Sequence, residues 1–261
     1  MAWMTAGSDA SREPVSLPLD PWAVRARNRL HPVRCYLTVR RLLEPYWYRA
    51  TWQDDPWRAF EFQSGDLPLG PADRELLSAV ERIPSAVTPM QAAALLYFAR
   101  LSPGEGVFME IGADRGKSAV LLATAAAVAH PPCPLHSVDP FPSSHATPDP
   151  ERVAAFHTTL QQFSTHNVRL HVCSSGEFRT RAGQPVRFIF VDAAHDYLNV
   201  RHDFLAWKGL VVPGGFLAAH DVDNPRFGAG VRRAFLKHIL SDPEWKLRYH
   251  TDNLAIAQRQ S

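Results

Sequence analysis

Short apolar runs alternate with helix-like stretches from about residue 106 onwards, and this alternation constrains the fold more than any other feature. The runs are GVFMEIG, LHSVDPF, VRLHVCS, VRFIFVDA and GGFLAAHD. Strands that are covered on both faces have this composition, because neither face meets water. The stretches between the runs include KSAVLLATAAAVAH, ERVAAFHTTLQQF and YLNVRHDFLAWKGL, which have helical spacing. Repeated strand-helix-strand units predict an α/β fold with a parallel, right-handed, doubly wound sheet.

Two helices are predicted before this alternation. ADRELLSAVERI places its apolar residues on one face, and in TPMQAAALLYFARL Thr88 is positioned to cap a helix that begins at Pro89.

The beginning of the chain has a different composition. Five of the seven tryptophans lie before residue 60, and RCYLTVRRLLEPYWYRATW has the spacing of an amphipathic helix. We therefore divide the chain into a Trp/Arg-rich arm with a helical extension, residues 1–72, and a second domain, residues 73–261. The arm is expected to pack on its own core or on a second subunit, or to form a lid over a substrate site.

Composition and charge argue against several classes of protein. Hydrophobic residues make up 46% and charged residues 21% of the 261 residues, as in soluble globular proteins. The net charge of +2 provides no strong field for nucleic acid or an anionic membrane. The three cysteines lie far apart without C-x-x-C spacing, which favours reduced thiols in a cytoplasmic protein. Neither a signal peptide nor an apolar run of about 18 residues is found, so a soluble protein is expected.

The stretch MEIGADRGKSAVLLA follows the first predicted strand and contains a GKS tripeptide. A P-loop has four residues between its glycines, whereas three separate Gly112 from Gly116. Glu110 and Asp114 would also face a phosphate with two carboxylates, a repulsion on the order of kcal/mol in a poorly screened cleft. The dinucleotide fingerprint fails because Asp114 replaces its second glycine. The loop therefore favours a ligand with a positive group and no phosphate, such as S-adenosylmethionine.

An acid at the end of the next predicted strand adds to this signal. Asp139 follows the strand in SVDPF, 23 residues after Gly116. An acid at this place and distance accepts hydrogen bonds from ribose hydroxyls. The two motifs together predict a site for S-adenosylmethionine.

These motifs, together with FIFVDAAHDYLNVRHDFLAWKGLVVPGGFLAAHD and GVRRAF, resemble the class I S-adenosylmethionine-dependent methyltransferases. The similarity is to the branch that includes macrocin-type sugar O-methyltransferases and cephalosporin-hydroxylase-like proteins, and it covers residues 88–257. It implies a Rossmann-like sheet of seven strands that ends in an antiparallel hairpin. WKLRYHTDNLAIAQR fits that hairpin, with a turn around Asp252 and Asn253.

The resemblance also implies which residues bind the cofactor. They are Glu110, Gly112, Ala113, Gly116, Ser118, Asp139, Ser174, Ser175 and Asp192. Glu110 and the glycine loop, residues 112–116, hold the methionine part of the cofactor. Ser118, at the N-terminus of the following helix, contacts the cofactor's carboxylate. Asp139 holds the ribose, and the two serines after the third strand neighbour the adenine.

Acids and histidines follow the fourth and fifth predicted strands, in FVDAAHDY and AAHDVDN. Ligands of doubly wound sheets bind at the carboxyl ends of the strands, so Asp192, His195, His220 and Asp221 are expected to converge beside the methyl donor. A hydroxyl is a poor nucleophile until its proton is removed, and an imidazole titrates near neutral pH. His195 is therefore the candidate general base and Asp192 a second candidate catalytic residue. The alternative is that His195 caps a helix or packs.

The same strand ends suggest a site for a divalent metal, Mg²⁺ or Mn²⁺, with Asp192, His220 and Asp221 as ligands. Relatives in the macrocin branch bind Mg²⁺ through acids at such strand ends. His220 departs from that pattern, because imidazole suits Mn²⁺, Fe or Zn²⁺ better than Mg²⁺. Asp223 or Asn224 would be placed to supply a further oxygen.

The sequence thus predicts an S-adenosylmethionine-dependent O-methyltransferase that acts on a hydroxyl of a small molecule, a sugar or a secondary metabolite, as a homo-oligomer. The alternatives are a metal-dependent, hydroxylase-like enzyme on the same fold and a non-catalytic, cofactor-binding assembly subunit. A nucleic-acid partner is disfavoured, because the near-neutral charge gives little basis for phosphate contacts and a D/N-P-P-Y/F motif is missing.

Overall fold

A computed structural model describes residues 55–142, 147–224, 226–227 and 229–260 of the chain. The helix predicted within residues 34–52, and most of the N-terminal arm, lie outside the described residues. Within these ranges, no helix is both long enough and apolar enough to cross a membrane.

Seven strands form one sheet in the order β3-β2-β1-β4-β5-β7-β6. They are β1 (Val107–Ile111), β2 (Leu135–Val138), β3 (Val168–His171), β4 (Val186–Val191), β5 (Val211–Ala219), β6 (Trp245–Thr251) and β7 (Leu254–Arg259). The first five pair in parallel, and β7 runs antiparallel to β5 and β6. The doubly wound sheet with an antiparallel C-terminal hairpin is therefore confirmed.

Helices cover both faces of this sheet. They are α1 (Pro71–Val80), α2 (Pro89–Leu101), α3 (Lys117–Ala127), α4 (Pro150–Gln162), α5 (Ser175–Arg179), α6 (Tyr197–Trp207) and α7 (Gly230–Phe235), which continues into a π-helical turn (Leu236–Leu240). Two 3-10 turns are Pro56–Ala59 and Lys208–Leu210. α2 begins as predicted, since the Thr88 hydroxyl accepts from the Gln91 N–H at 3.3 Å and the Gln91 side chain accepts from the Thr88 N–H at 2.9 Å.

The core has two layers because alternate residues of the central strands point to opposite faces. Phe108 and Phe188 belong to the layer packed on α2 and α3, whereas Met109 and Ile189 belong to the layer packed on α6 and α7. Every residue of β1 and β4 is buried. This double covering explains why the runs in the sequence are apolar throughout rather than alternating.

A segment before α1 covers the edge strand β6. The N–H of Gln63 donates to the carbonyl of Arg248 at 3.0 Å, and the N–H of His250 donates to the carbonyl of Gln63 at 3.2 Å. The hydroxyl of Tyr249 donates to the carbonyl of Gly65 at 2.9 Å. These bonds occupy backbone groups that an edge strand otherwise presents to solvent. Part of the predicted arm therefore packs on the sheet, while the domain boundary at residue 72 stays a prediction.

Candidate active site

A cleft of about 870 Å³ opens at the carboxyl ends of the strands, beside the point where β1 and β4 pair and the strand order reverses. Doubly wound sheets bind their ligands at this place. The predicted site residues that line it are Gly112, Ala113, Ser118, Asp139, Ser174, Ser175, Asp192, His195 and Asp221. The other three, Glu110, Gly116 and His220, are buried and do not line it.

The loop after β1 requires a glycine at residue 112. Gly112 has a φ of +91°, and a Cβ there would lie 2.7 Å from the carbonyl carbon of Asp192 and closer still to its oxygen. The N–H of Gly112 donates to the carbonyl of Val138 at 2.9 Å, and the N–H of Asp192 donates to the carbonyl of Ile111 at 2.8 Å. The loops after β1, β2 and β4 therefore meet at one residue without a side chain.

The carboxylate of Asp139 holds the same loop in place. Its Oδ2 accepts from the N–H groups of Ala113 at 2.9 Å and Asp114 at 3.1 Å, and its Oδ1 accepts from the N–H of Phe141 at 2.6 Å. A carboxylate has about four acceptor positions, so roughly one remains for a ribose hydroxyl. The ribose-binding role of Asp139 stays a prediction.

Glu110 is completely buried in β1. The hydroxyl of Ser137 donates to its Oε2 at 2.7 Å, and Oε1 has no hydrogen-bond partner among the described residues. Burial raises the pKa of Glu110 to about 8, against the opposing effect of the Ser118 and Ser137 hydroxyls. The group is therefore protonated at neutral pH, and Oε1 is a buried polar atom that does not reach the cleft surface.

Replacing Glu110 with Gln is expected to remove much of the pH dependence of stability between about pH 5 and pH 8. Because the pKa is raised from 4.5 to about 8, the folded chain holds a proton that the unfolded chain releases in this range. The stabilisation is fully present below the unfolded pKa and is lost as pH rises through the folded pKa, a change of roughly 4 to 5 kcal/mol. Denaturant unfolding at several pH values measures it.

The matched control for this experiment is Glu105→Gln, which replaces an exposed carboxylate just before the same strand. This variant should keep the wild-type pH profile. A Glu110→Gln profile that also equals the wild type would contradict the burial argument.

Residues at the ends of β4 and β5 form one hydrogen-bonded group. Nε2 of His195 lies 2.8 Å from Oδ2 of Asp221. Nδ1 of His220 lies 3.1 Å from Oδ1 of Asp192 and 3.4 Å from Oδ2 of Asp221. Nδ2 of Asn224 donates to Oδ1 of Asp221 at 2.7 Å. The structure brings the four predicted strand-end residues together.

His220 has both of its ring nitrogens engaged. Nε2 lies 3.0 Å from Oε1 of Gln91, an oxygen that also accepts the N–H of Thr88, so Nε2 carries a proton. Nδ1 faces the Asp192 carboxylate and carries a proton as well. Burial opposes the charge, but hydrogen bonds to Asp192 and Asp221 outweigh it and raise the pKa of His220 to about 10. As a metal ligand, His220 would have to give up one of these bonds and its charge.

His195 has one nitrogen committed and one open. Burial alone would raise the pKa of Asp221, but hydrogen bonds from His195 and His220 hold it well below its usual range. The His195 Nε2–H therefore donates to a permanent carboxylate, and Nδ1 is the nitrogen with a free lone pair. The imidazole stacks on Phe227, with ring centroids 3.8 Å apart and planes 16° apart. Its side chain is 31% exposed, so solutes in the cleft can reach it.

The potential metal ligands that come together differ in one member from the predicted set. Ligand atoms of Asp192, His195 and Asp221 all lie within 4.8 Å of one another. His195 thus takes the place predicted for His220. Of the further oxygens considered, that of Asn224 lines the cleft, whereas Asp223 does not.

Three residues of the site were missed by the sequence analysis. Gln91 lies beneath His220, and its capping box with Thr88 was the available signal. Asp203 lines the cleft beside the predicted serines and accepts a hydrogen bond from the Ser175 hydroxyl. Burial raises the pKa of Asp203. The available signal for Asp203 was an acidic residue among the buried, otherwise apolar positions of α6. Phe227 carries no comparable sequence signal.

One family model matches the part of the chain that contains most of this site. Residues 109–222 match the family model described as "Methyltransferase domain". No curated protein matches the chain.

Solved structures share the fold at low sequence identity. An O-methyltransferase from Bacillus cereus in complex with SAH is 19% identical, with a TM-score of 0.54, over 74% of this chain and 93% of that one. An O-methyltransferase from Streptomyces achromogenes, involved in tomaymycin synthesis and in complex with SAM, is 18% identical, with a TM-score of 0.53, over 84% and 96%. A TDP-rhamnose 3'-O-methyltransferase of calicheamicin biosynthesis is 17% identical, with a TM-score of 0.52, over 78% and 99%.

The matched region begins in β1 and ends just after β5, so it contains the cleft-lining loops after β1, β2, β3 and β4 and the start of the loop after β5. The match over residues 109–222 supports the resemblance to the class I S-adenosylmethionine-dependent methyltransferases.

Proposed function

We propose that this protein transfers a methyl group from S-adenosylmethionine to a hydroxyl of a small molecule, with His195 as the general base. The contact between His195 and Asp221 carries the proposal, because it leaves Nδ1 open toward the cleft that the glycine loop also lines. The similar solved structures include O-methyltransferases, one of them a TDP-rhamnose 3'-O-methyltransferase, and this similarity supports oxygen as the acceptor atom.

The donor set of the cleft fits S-adenosylmethionine. The remaining acceptor position of Asp139 is suited to a ribose hydroxyl, whereas a contact of Glu110, which does not line the cleft, with the ammonium group stays a prediction. Ser174 and Ser175, together with the buried Asp203, offer polar atoms for the adenine. When bound, the cofactor supplies a methyl group on a sulfonium.

The residues of this chain act on the acceptor's proton. Nδ1 of His195 would accept the hydroxyl proton as the acceptor oxygen takes up the methyl group. The Asp221 carboxylate orients the imidazole and stabilises the imidazolium that forms. Asp192, fixed by His220, presents its carboxylate at the same edge of the cleft and orients the acceptor.

A divalent cation is the second candidate, and the cluster of Asp192, His195 and Asp221 favours it. Two carboxylates and an imidazole suit Mn²⁺ better than Mg²⁺. A cation there would replace the hydrogen bond between His195 and Asp221 and would lie close to the positive charge of His220. Base catalysis keeps every observed hydrogen bond, so we favour it over metal activation.

Isothermal titration calorimetry with S-adenosylmethionine and S-adenosylhomocysteine tests the cofactor assignment. We expect saturable binding that survives a chelator, and a large loss of affinity in Asp139→Asn, which weakens the hold on the glycine loop. Absence of binding at millimolar donor would refute the proposal. Affinity or turnover that requires added Mn²⁺ would favour the cation, and iron-dependent oxygen consumption would favour the hydroxylase-like alternative.

A further inference from the structure

The loop after β5 holds His195 from one side and is itself anchored from the other. We call its described residues 221–224 and 226–227 the base loop. We propose that Trp57, which lies before α1, is a positioning residue for the base loop. The proposal rests on the proposed function only in treating His195 as the acting group, since the anchor can be tested without cofactor or acceptor.

Trp57 lies in the core and bonds directly to the base loop. Its side chain is 3% exposed, and its indole Nε1 donates to the two carboxylate oxygens of Asp223 at 3.0 and 3.2 Å. The ring of His250 stacks on the indole, with centroids 4.4 Å apart, and the Arg232 guanidinium lies 5.1 Å from the indole ring. The indole thus packs between β6 and α7, and its N–H group donates a hydrogen bond to the base loop.

Among the described residues, donors from three separate parts of the fold reach Asp223. Besides Trp57, Nη2 of Arg232 in α7 lies 3.2 Å from its Oδ1, and Nε2 of His250 in β6 lies 2.5 Å from its Oδ2. These contacts turn the carboxylate away from the cleft, which explains why Asp223 does not line it. Charge-assisted hydrogen bonds of this kind are stronger than neutral ones, so these contacts hold Asp223, and with it the base loop, in position.

The base loop connects Asp223 to the residues that contact His195. Asp221 has a left-handed φ of +59°, a conformation that a non-glycine residue keeps only where its surroundings impose it. Asn224 organises the turn, because its side chain donates to Asp221 at 2.7 Å and its carbonyl accepts the N–H of Phe227 at 3.2 Å. Asp221 and Phe227 both contact the His195 ring. A displaced Asp223 would therefore move both contacts of the base together.

Trp57→Phe tests the anchor, because phenylalanine keeps an aromatic ring but removes the N–H donor. We expect hydrogen exchange in residues 220–230 to accelerate about tenfold or more, the local opening that follows loss of one hydrogen bond to a charged group. Exchange in residues 108–121, which include most of β1, the glycine loop and the start of α3, should stay at the wild-type rate. The readout is hydrogen-deuterium exchange of the full chain followed by mass spectrometry.

Trp207→Phe is the matched control. Trp207 is as deeply buried, at 1% exposure, but its Nε1 has no hydrogen-bond partner among the described residues. This variant removes an indole from the same core layer without removing a bond to the base loop. Equal acceleration in Trp207→Phe and Trp57→Phe would show general loosening of the core and overturn the proposal, as would unchanged exchange in Trp57→Phe.

The ring nitrogens of His195 give a second readout that loss of stability alone does not move. In the wild type, proton-nitrogen correlation spectra should show a protonated Nε2 and an unprotonated Nδ1, assigned with His195→Gln. Trp57→Phe should average the two signals as the hold of Asp221 on the ring weakens, and a retained pattern would count against positioning. If Trp57→Phe does not fold, Asp223→Asn leaves one acceptor oxygen for three donors; accelerated exchange in residues 220–230 supports the anchor, and wild-type exchange rejects it.

Discussion

Replacing His195 with Gln is expected to lower the rate of methyl transfer by about 10²- to 10⁴-fold, the usual contribution of a positioned general base. Glutamine can still accept a hydrogen bond but cannot take up the acceptor's proton. Because binding of the donor does not use that nitrogen, the dissociation constant for S-adenosylmethionine should stay at its wild-type value. The loss should therefore appear in kcat on the first hydroxylated acceptor that the wild type methylates.

A second histidine on the cleft serves as the control. His202 also lines the cleft, but its side chain is 62% exposed and lies 3.7 Å from Asp203 rather than against Asp221. His202→Gln should retain turnover within a small factor. Full turnover in His195→Gln would remove the base assignment, whereas wild-type activity that a chelator abolishes and Mn²⁺ restores would make His195 a metal ligand instead.

Gly112→Ala is expected to destabilise the fold by several kcal/mol and to abolish cofactor binding. A left-handed φ costs an L-residue roughly 1 to 2 kcal/mol. The larger part comes from the backbone of Asp192, which the new methyl group would overlap and which has no flexible end to move aside. Separation of the two loops would break the hydrogen bonds from Gly112 to Val138 and from Asp192 to Ile111. Urea unfolding and titration calorimetry measure the two losses.

Gly104→Ala separates conformational strain from overlap. Gly104 has a similar φ of +77°, but a Cβ there would meet no atom within 4 Å. This variant should lose only the roughly 1 to 2 kcal/mol of the unfavourable φ and should bind the cofactor normally. Equal destabilisation in both alanine variants would mean that the contact with Asp192 is unimportant.

The fold could be predicted because its signals are local. Strands covered on both faces must be apolar throughout, and the five runs become β1 to β5. Thr88 and Gln91 satisfy backbone groups at the start of α2 and so mark where that helix begins. The hairpin turn also follows from its residues, since Asp252 adopts the left-handed φ of +46° that such turns require.

The roles of His195 and His220 depend on the path of the backbone after β5, which the sequence does not show. Strand alternation continues past β5, so His220 points to the same face as Ala218 and reaches Gln91 beneath the cleft. The left-handed φ of Asp221 then turns the chain toward the cleft and His195. Proximity to a strand end predicted that all these residues converge, but only the backbone path decides which histidine faces the ligand.

Contacts between residues far apart in the chain could not be predicted either, because they also depend on the path of the backbone. Asp223 and Asn224 are neighbours in the chain, yet Asn224 lines the cleft and Asp223 bonds to Trp57, which is 166 residues away. Nothing in the spacing of VDNPRF distinguishes the two. The tryptophan-rich composition of the arm indicated packing, and the described part of it shows one such contact.

The buried imidazolium of His220 also determines how the interior charge changes during a turnover. With the carboxylates of Asp192 and Asp221 it gives the strand ends a net charge of minus one, from two negative charges and one positive. Uptake of a proton by His195 brings that sum to zero. In the proposed reaction, this group of residues therefore loses its net negative charge at the moment when the acceptor gives up its proton.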